Sequence, residues 1–137
     1  MVTDPALDLE RQSFGRLRLN ATLEEAKELG PPKRKLGSGA QQVLEYAGGY
    51  ELEFQEGRLV CVKFDIDDRV SANVVGDIRL SRATQPVDVQ VWFGDPTSDS
   101  AAGERRWIDY EREGATLALE FDAKGLSCVQ LYAEGYA

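Results

Sequence analysis

Short bursts of alternation set the pattern of this chain. Tyr50, Leu52 and Phe54 alternate with Glu51, Glu53 and Gln55, the two-residue period of a strand with one buried face. Leu59–Phe64 is apolar on both faces apart from Lys63, as a central strand is. Val43–Tyr46 adds a third strand, turned into the next by Ala47-Gly48-Gly49, and Glu56-Gly57 makes a tight turn between the other two. Upstream, Leu17 and Leu19 alternate with Arg16 and Arg18, which predicts a short strand. Thr22 followed by Glu25 is a capping-box spacing and opens a short helix over Leu23–Leu29. Gly30, Pro31 and Pro32 close that helix. Lys33 to Gln41 is basic and rich in glycine and serine, and it reads as a loop.

The same series then returns. Phe14-Gly15-Arg16-Leu17-Arg18-Leu19 recurs as Val75-Gly76-Asp77-Ile78-Arg79-Leu80, and Leu29-Gly30 as Phe93-Gly94. Leu44-Glu45-Tyr46 recurs as Ile108-Asp109-Tyr110, and Leu52-Glu53-Phe54 as Leu119-Glu120-Phe121. Cys61 matches Cys128. The order never breaks, so the chain reads as a tandem duplication. The repeats span residues 14–64 and 75–132, with 1–13 a flexible lead-in and 65–74 a linker. In the second copy Val87, Val91 and Trp92 fall at helical spacing after the candidate cap Thr84, and the stretch from Thr97 to Glu104 is a polar loop. The predicted class is α+β. Each unit is β-α-β-β-β, an antiparallel meander with a helix on one face, and Leu52, Phe54, Leu119 and Phe121 lie in the core. A unit of that size is marginal alone, so the two are expected to pack closely as one body.

Composition narrows the function. The chain has 24 acidic and 16 basic residues, a net charge of −8, with the excess shared between the halves. Phosphate binding needs clustered cations, so nucleic acid and anionic membrane are not expected as partners. No apolar run approaches a membrane span, and the start lacks the apolar core of a signal peptide. The expected location is cytoplasmic, with the two cysteines as buried reduced thiols rather than a disulfide.

The Thr-x-x-Glu cap, the short helix, Gly-Pro-Pro, and three alternating strands with Glu-Gly before the last resemble the β-lactamase-inhibitor-like fold. Small outer-membrane-assembly lipoproteins share that fold. The resemblance covers residues 14–64 and 75–132. It implies a helical segment packed on a short antiparallel sheet, a tandem arrangement whose two sheets form a concave binding face, and a tendency to bind proteins.

Chemistry is sparse. With no histidine in the chain, Ser-His-Asp and Cys-His nucleophile arrangements are excluded and most zinc sites with them. Asp65-Ile66-Asp67-Asp68 lacks the glycine and glutamate of a calcium loop, and no glycine-rich stretch forms a phosphate cradle. No catalytic residue, metal or cofactor is expected. What remains is a face. If Tyr50, Leu52 and Phe54 point to the core, then Glu45, Glu51 and Glu53 share the outer side, and Trp107, Asp109 and Glu120 share the matching side of the second copy. The expected function is a non-enzymatic protein-binding module. Its leading form is a small acidic bacterial inhibitor or immunity-type protein that docks a basic partner through Glu45, Glu51, Glu53, Trp107, Asp109 and Glu120. Two alternatives stand beside it: a structural or adaptor domain whose acidic face serves only solubility, and a carboxylate-dependent hydrolase using Glu51 with Glu53 or Asp109 with Glu120. The basic stretches Lys33–Lys35 and Arg105–Arg106 are a second candidate contact. Monomer and dimer are both open.

Overall fold

The structure is a computed structural model that describes residues 5–136. Its strands, in chain order, are β1 (Leu7–Asp8), β2 (Ser13–Phe14), β3 (Leu17–Arg18), β4 (Arg34–Ser38), β5 (Gln41–Glu45), β6 (Tyr50–Gln55), β7 (Arg58–Asp65), β8 (Ala72–Val74), β9 (Ile78–Leu80), β10 (Ser98–Ala102), β11 (Arg105–Arg112), β12 (Ala115–Asp122) and β13 (Gly125–Ala133). Eight of them form one antiparallel sheet in the order β10-β11-β12-β13-β7-β6-β5-β4. Two four-stranded meanders therefore join edge to edge along the β7–β13 seam. Lys63 lies opposite Gln130 near the middle of that seam.

The other five strands make a small sheet, β3-β2-β1-β8-β9. Its two hairpins are bridged by β1, which pairs antiparallel with β2 and parallel with β8. This small sheet covers the inner face of the large one. Leu7, Phe14, Leu17, Val74 and Leu80 belong to the same buried cluster as Leu52, Phe54, Phe64, Ile108, Leu119, Phe121 and Leu131. Phe14 meets Phe64 and Tyr50 edge-on, with ring centroids 5.6 and 4.8 Å apart, a favourable geometry for aromatic quadrupoles.

The α+β expectation is overturned. The described residues are 51% strand and 10% helical, and among them the large sheet is not roofed by paired helices. The first expected helix is a 3-10 turn, Glu25–Leu29. Its capping-box bonds do form: the Glu25 amide donates to Thr22 Oγ1 at 3.2 Å, and the Thr22 amide donates to Glu25 Oε1 at 3.1 Å. The stretch before Gly30 is too short to repay helix nucleation. The second, α1 (Pro86–Phe93), is an α-helix of 8 residues, started by the Gln85 amide donating to Asp88 Oδ2 at 2.8 Å. It buries Val89 and sets Phe93 against Tyr110, while Val87, Val91 and Trp92 face solvent.

Both stretches read as loops, Lys33 to Gln41 and Thr97 to Glu104, contain the edge strands β4 and β10. Each meander thus has four strands rather than three. The lead strands join the small sheet instead of the large one. Within the expected lead-in, residues 1–4 lie outside the described residues, and 5–13 hold β1 with Leu7 only 1% exposed. The expected linker, 65–74, contains the whole of β8. Among the described residues no helix is long and apolar enough to cross a membrane.

Candidate functional site

The register of the large sheet places all six sequence-predicted residues on its outer face. Glu45 lies opposite Glu51, Glu51 opposite Lys63, Lys63 opposite Gln130, Gln130 opposite Ala118 and Ala118 opposite Asp109. One row therefore runs across six strands, roughly 24 Å at the usual strand spacing. Glu53 faces Cys61 across β6–β7, and Glu120 faces Cys128 across β12–β13. Trp107 lies beside Glu120.

Both glutamates sit at register shifts. The pairing slips between Glu53 and Phe54, and again between Glu120 and Phe121. Val60 and Ser127 are the extra residues opposite. In the second copy Ser127 Oγ donates to the Glu120 carbonyl at 3.1 Å. Bulges of this kind bend a strand and re-aim the side chains beside them.

Neighbours divide the six carboxylate and indole groups unevenly. Arg34 binds Glu45 through two nitrogens, Nε to Oε2 at 3.1 Å and Nη2 to Oε1 at 3.0 Å. Trp107 Nε1 donates to Glu120 Oε1 at 2.7 Å, and Arg105 Nη1 lies 3.5 Å from the same oxygen. Ser98 Oγ lies 3.4 Å from Asp109 Oδ2. Glu53 Oε1 accepts from Gln41 Nε2 at 3.3 Å, and Glu53 Oε2 accepts from the Tyr136 hydroxyl. Arg34 and Arg105, proposed from sequence as part of a separate basic contact, are thus partners of the acidic face.

Burial pushes the Glu51 carboxyl above its ordinary range. Asp65, Glu45 and Glu53 add to the rise, and Lys63 opposes it. Asp109 is raised mainly by burial, against the Ser98 hydrogen bond, with Glu111 adding to the rise. A carboxyl raised in the fold holds its proton more tightly than in the unfolded chain. Stability is then complete at low pH and is lost as pH climbs from the ordinary carboxyl value to the raised one. Glu51→Gln cannot ionise. Its denaturation midpoint should exceed that of the wild type near about pH 7, and the gap should close toward about pH 4. A gap that widens on acidification would disprove this account of Glu51.

The cysteines are both free and buried. Cys61 lies opposite Tyr132 and Cys128 opposite Asp65. Gln130 stands between the two thiols, with sulfur contacts of 3.7 Å to each. Burial raises the Cys61 thiol to about 12, so it is a poor nucleophile near neutrality. Among the described residues no cluster of acidic or thiol side chains has the geometry to hold a metal. Asp67, in the acidic stretch that resembles a calcium loop, instead caps its turn: Oδ1 accepts from the Arg69 and Val70 amides at 2.7 and 2.8 Å.

Sequence reasoning missed Lys63, Gln41 and Tyr136 as members of this face. Lys63 was legible as the single polar break in an apolar strand. Tyr136 had no such signal, because it reaches Glu53 from 83 residues away.

No protein-family model matches the chain, and no curated protein sequence matches it. Among solved structures, the chain is similar to the crystal structure of a DUF4309 family protein (YjgB) from Bacillus subtilis subsp. subtilis str. 168. The TM-score is 0.59 at 14% sequence identity, covering 88% of this chain and 84% of that one. At that identity the likeness shows the fold alone, an antiparallel architecture carried over most of both chains.

Proposed function

We propose that this chain is a non-enzymatic protein-binding module that docks a basic partner on the outer face of its large sheet, as an inhibitor or immunity-type protein would. One observation carries the reading. Glu51 and Asp109 are half-buried carboxylates on a single open row, and no arginine or lysine bonds to either among the described residues. A group held in that state gains from any cation that arrives. Ionising a partly desolvated carboxylate becomes cheaper beside an opposite charge. Trp107 lies on the same face, where a partner finds apolar area.

An acetylated, amidated hexa-arginine peptide serves as the probe, followed by NMR and calorimetry at low salt. Peptide addition should shift the signals of Glu51, Glu53, Lys63 and Trp107. Affinity should rise as pH climbs past the raised carboxyl value of Glu51, because binding then no longer competes with its proton. Against a protein partner, Glu51→Lys should slow association about tenfold at low salt and flatten its salt dependence. Trp107→Ala should raise the dissociation rate about thirtyfold if the indole is a hot spot. Binding unchanged by both substitutions together would refute this face.

A further inference from the structure

The two halves of the face differ at one matched place. Val43 lies opposite Glu53 as Trp107 lies opposite Glu120. Gln41 approaches Glu53 as Arg105 approaches Glu120. In the second half the carboxylate thus receives an indole N–H and a guanidinium from its own neighbouring strand. In the first half the equivalents are an aliphatic side chain and a neutral amide. Neither supplies a charge, and valine supplies no donor at all.

The missing donor comes from the segment Glu134–Tyr136, which follows β13 and folds back over the sheet. The Glu134 amide donates to the Gly114 carbonyl at 2.7 Å, and the Tyr136 amide donates to the Ala133 carbonyl at 3.1 Å. The Tyr136 ring leans on Tyr132 at 5.8 Å between centroids. Its hydroxyl then meets Glu53. The segment is anchored by few bonds, and one of its contacts is a neutral hydroxyl on a carboxylate whose twin holds a guanidinium.

We infer that Glu134–Tyr136 is a displaceable cover on the Glu53 half of the face, and that a partner enters by replacing the Tyr136 hydroxyl with an arginine guanidinium. This rests on the docking reading above. The exchange is favourable because a guanidinium brings a positive charge and two parallel N–H donors to the carboxylate, where the hydroxyl brings one donor and no charge. Arg105 against Glu120 shows, within the same chain, the kind of group such a carboxylate accepts.

Tyr136→Phe keeps the ring and deletes the competing donor. It should tighten hexa-arginine binding about five- to tenfold. Glu53→Gln added to Tyr136→Phe should return affinity to or below the wild-type level. In the wild type, peptide binding should move the Tyr136 ring signals toward those of a solvent-exposed tyrosine while the Trp107 indole N–H signal stays bonded. If the peptide perturbs Glu51 and Glu53 but Tyr136→Phe leaves affinity unchanged or weaker, the cover is overturned and the docking face stands. If the peptide perturbs no residue of the outer face in either protein, the docking reading fails and takes the cover with it.

Discussion

Phe54→Ala and Phe121→Ala should each destabilise the protein by about 3–5 kcal/mol, measured as a fall in denaturant midpoint at constant slope. The rings are 1% and 2% exposed. Each directly follows a register shift and belongs to the core packed between the large and small sheets, with Leu59 opposite Phe54 and Leu126 opposite Phe121. Truncation removes the apolar area and leaves a void that the bent strands cannot collapse around without moving the bulge. A domain of this size is stable by only about 5–15 kcal/mol, so either substitution takes a large share. Phe→Leu at the same places should cost under about 1.5 kcal/mol if volume rather than ring shape decides. A loss below about 1 kcal/mol for both alanine variants would show that these side chains are not the floor of the core.

The parts of this fold that were readable are those where one face is wet and the other dry. Tyr50–Gln55 alternates because β6 lies inside the sheet with one face on the core, and Leu59–Phe64 is nearly all apolar because β7 is central. The unreadable parts obey other rules. All five residues of β4 and of β10 are exposed. Their strand state comes from pairing with β5 and β11, and burial leaves no mark on their sequence. The small sheet is held by β1, two residues long, which joins the two hairpins through a parallel pair with β8. No local period encodes a contact between segments that far apart. The helices fail for a third reason. Matched sequence spacing predicted matched helices, yet one stretch closes after a 3-10 turn and the other buries Val89 rather than the exposed Val87, Val91 and Trp92.

The candidate face was legible for the same reason β6 was. Period two alone puts Glu45, Glu51 and Glu53 opposite the core set, and the recurring sequence pattern carries Trp107, Asp109 and Glu120 with them. What the sequence left out is how the charges are shared. Arg34 and Arg105 stood as a basic patch in the linear reading, and the hairpins fold both onto carboxylates of the face. Tyr136 lay beyond the second repeat, so no matching position drew attention to it.

Gly125→Ala should be the most damaging single methyl group in the second half, at roughly 3 kcal/mol or more, while Gly57→Ala at the matched turn of the first half should cost only about 1 kcal/mol. Gly57 has φ +76, and a Cβ there would meet open space. Its substitution incurs the left-handed backbone penalty and nothing else. Gly125 has φ +136, and a Cβ there would lie 2.3 Å from the Arg82 carbonyl oxygen and 3.3 Å from that of Thr84. Both are backbone atoms, so no side chain can swing away. The loop before α1 is locked onto this turn. Arg82 Nη1 donates to the Gly125 and Leu126 carbonyls at 3.3 and 3.0 Å, Arg82 Nη2 reaches Asp122 Oδ2 at 2.9 Å, and the Leu126 amide donates to the Thr84 carbonyl at 3.2 Å. Relieving the clash pulls this loop off the sheet and strips hydrogen bonds worth about 0.5–1.5 kcal/mol each. It also frees the start of α1. Amide exchange should therefore quicken from Arg82 through Val89 in Gly125→Ala and stay at wild-type rates there in Gly57→Ala. Equal costs for the two variants would mean that the loop yields freely, and that the close approach at Gly125 does not hold α1 in place.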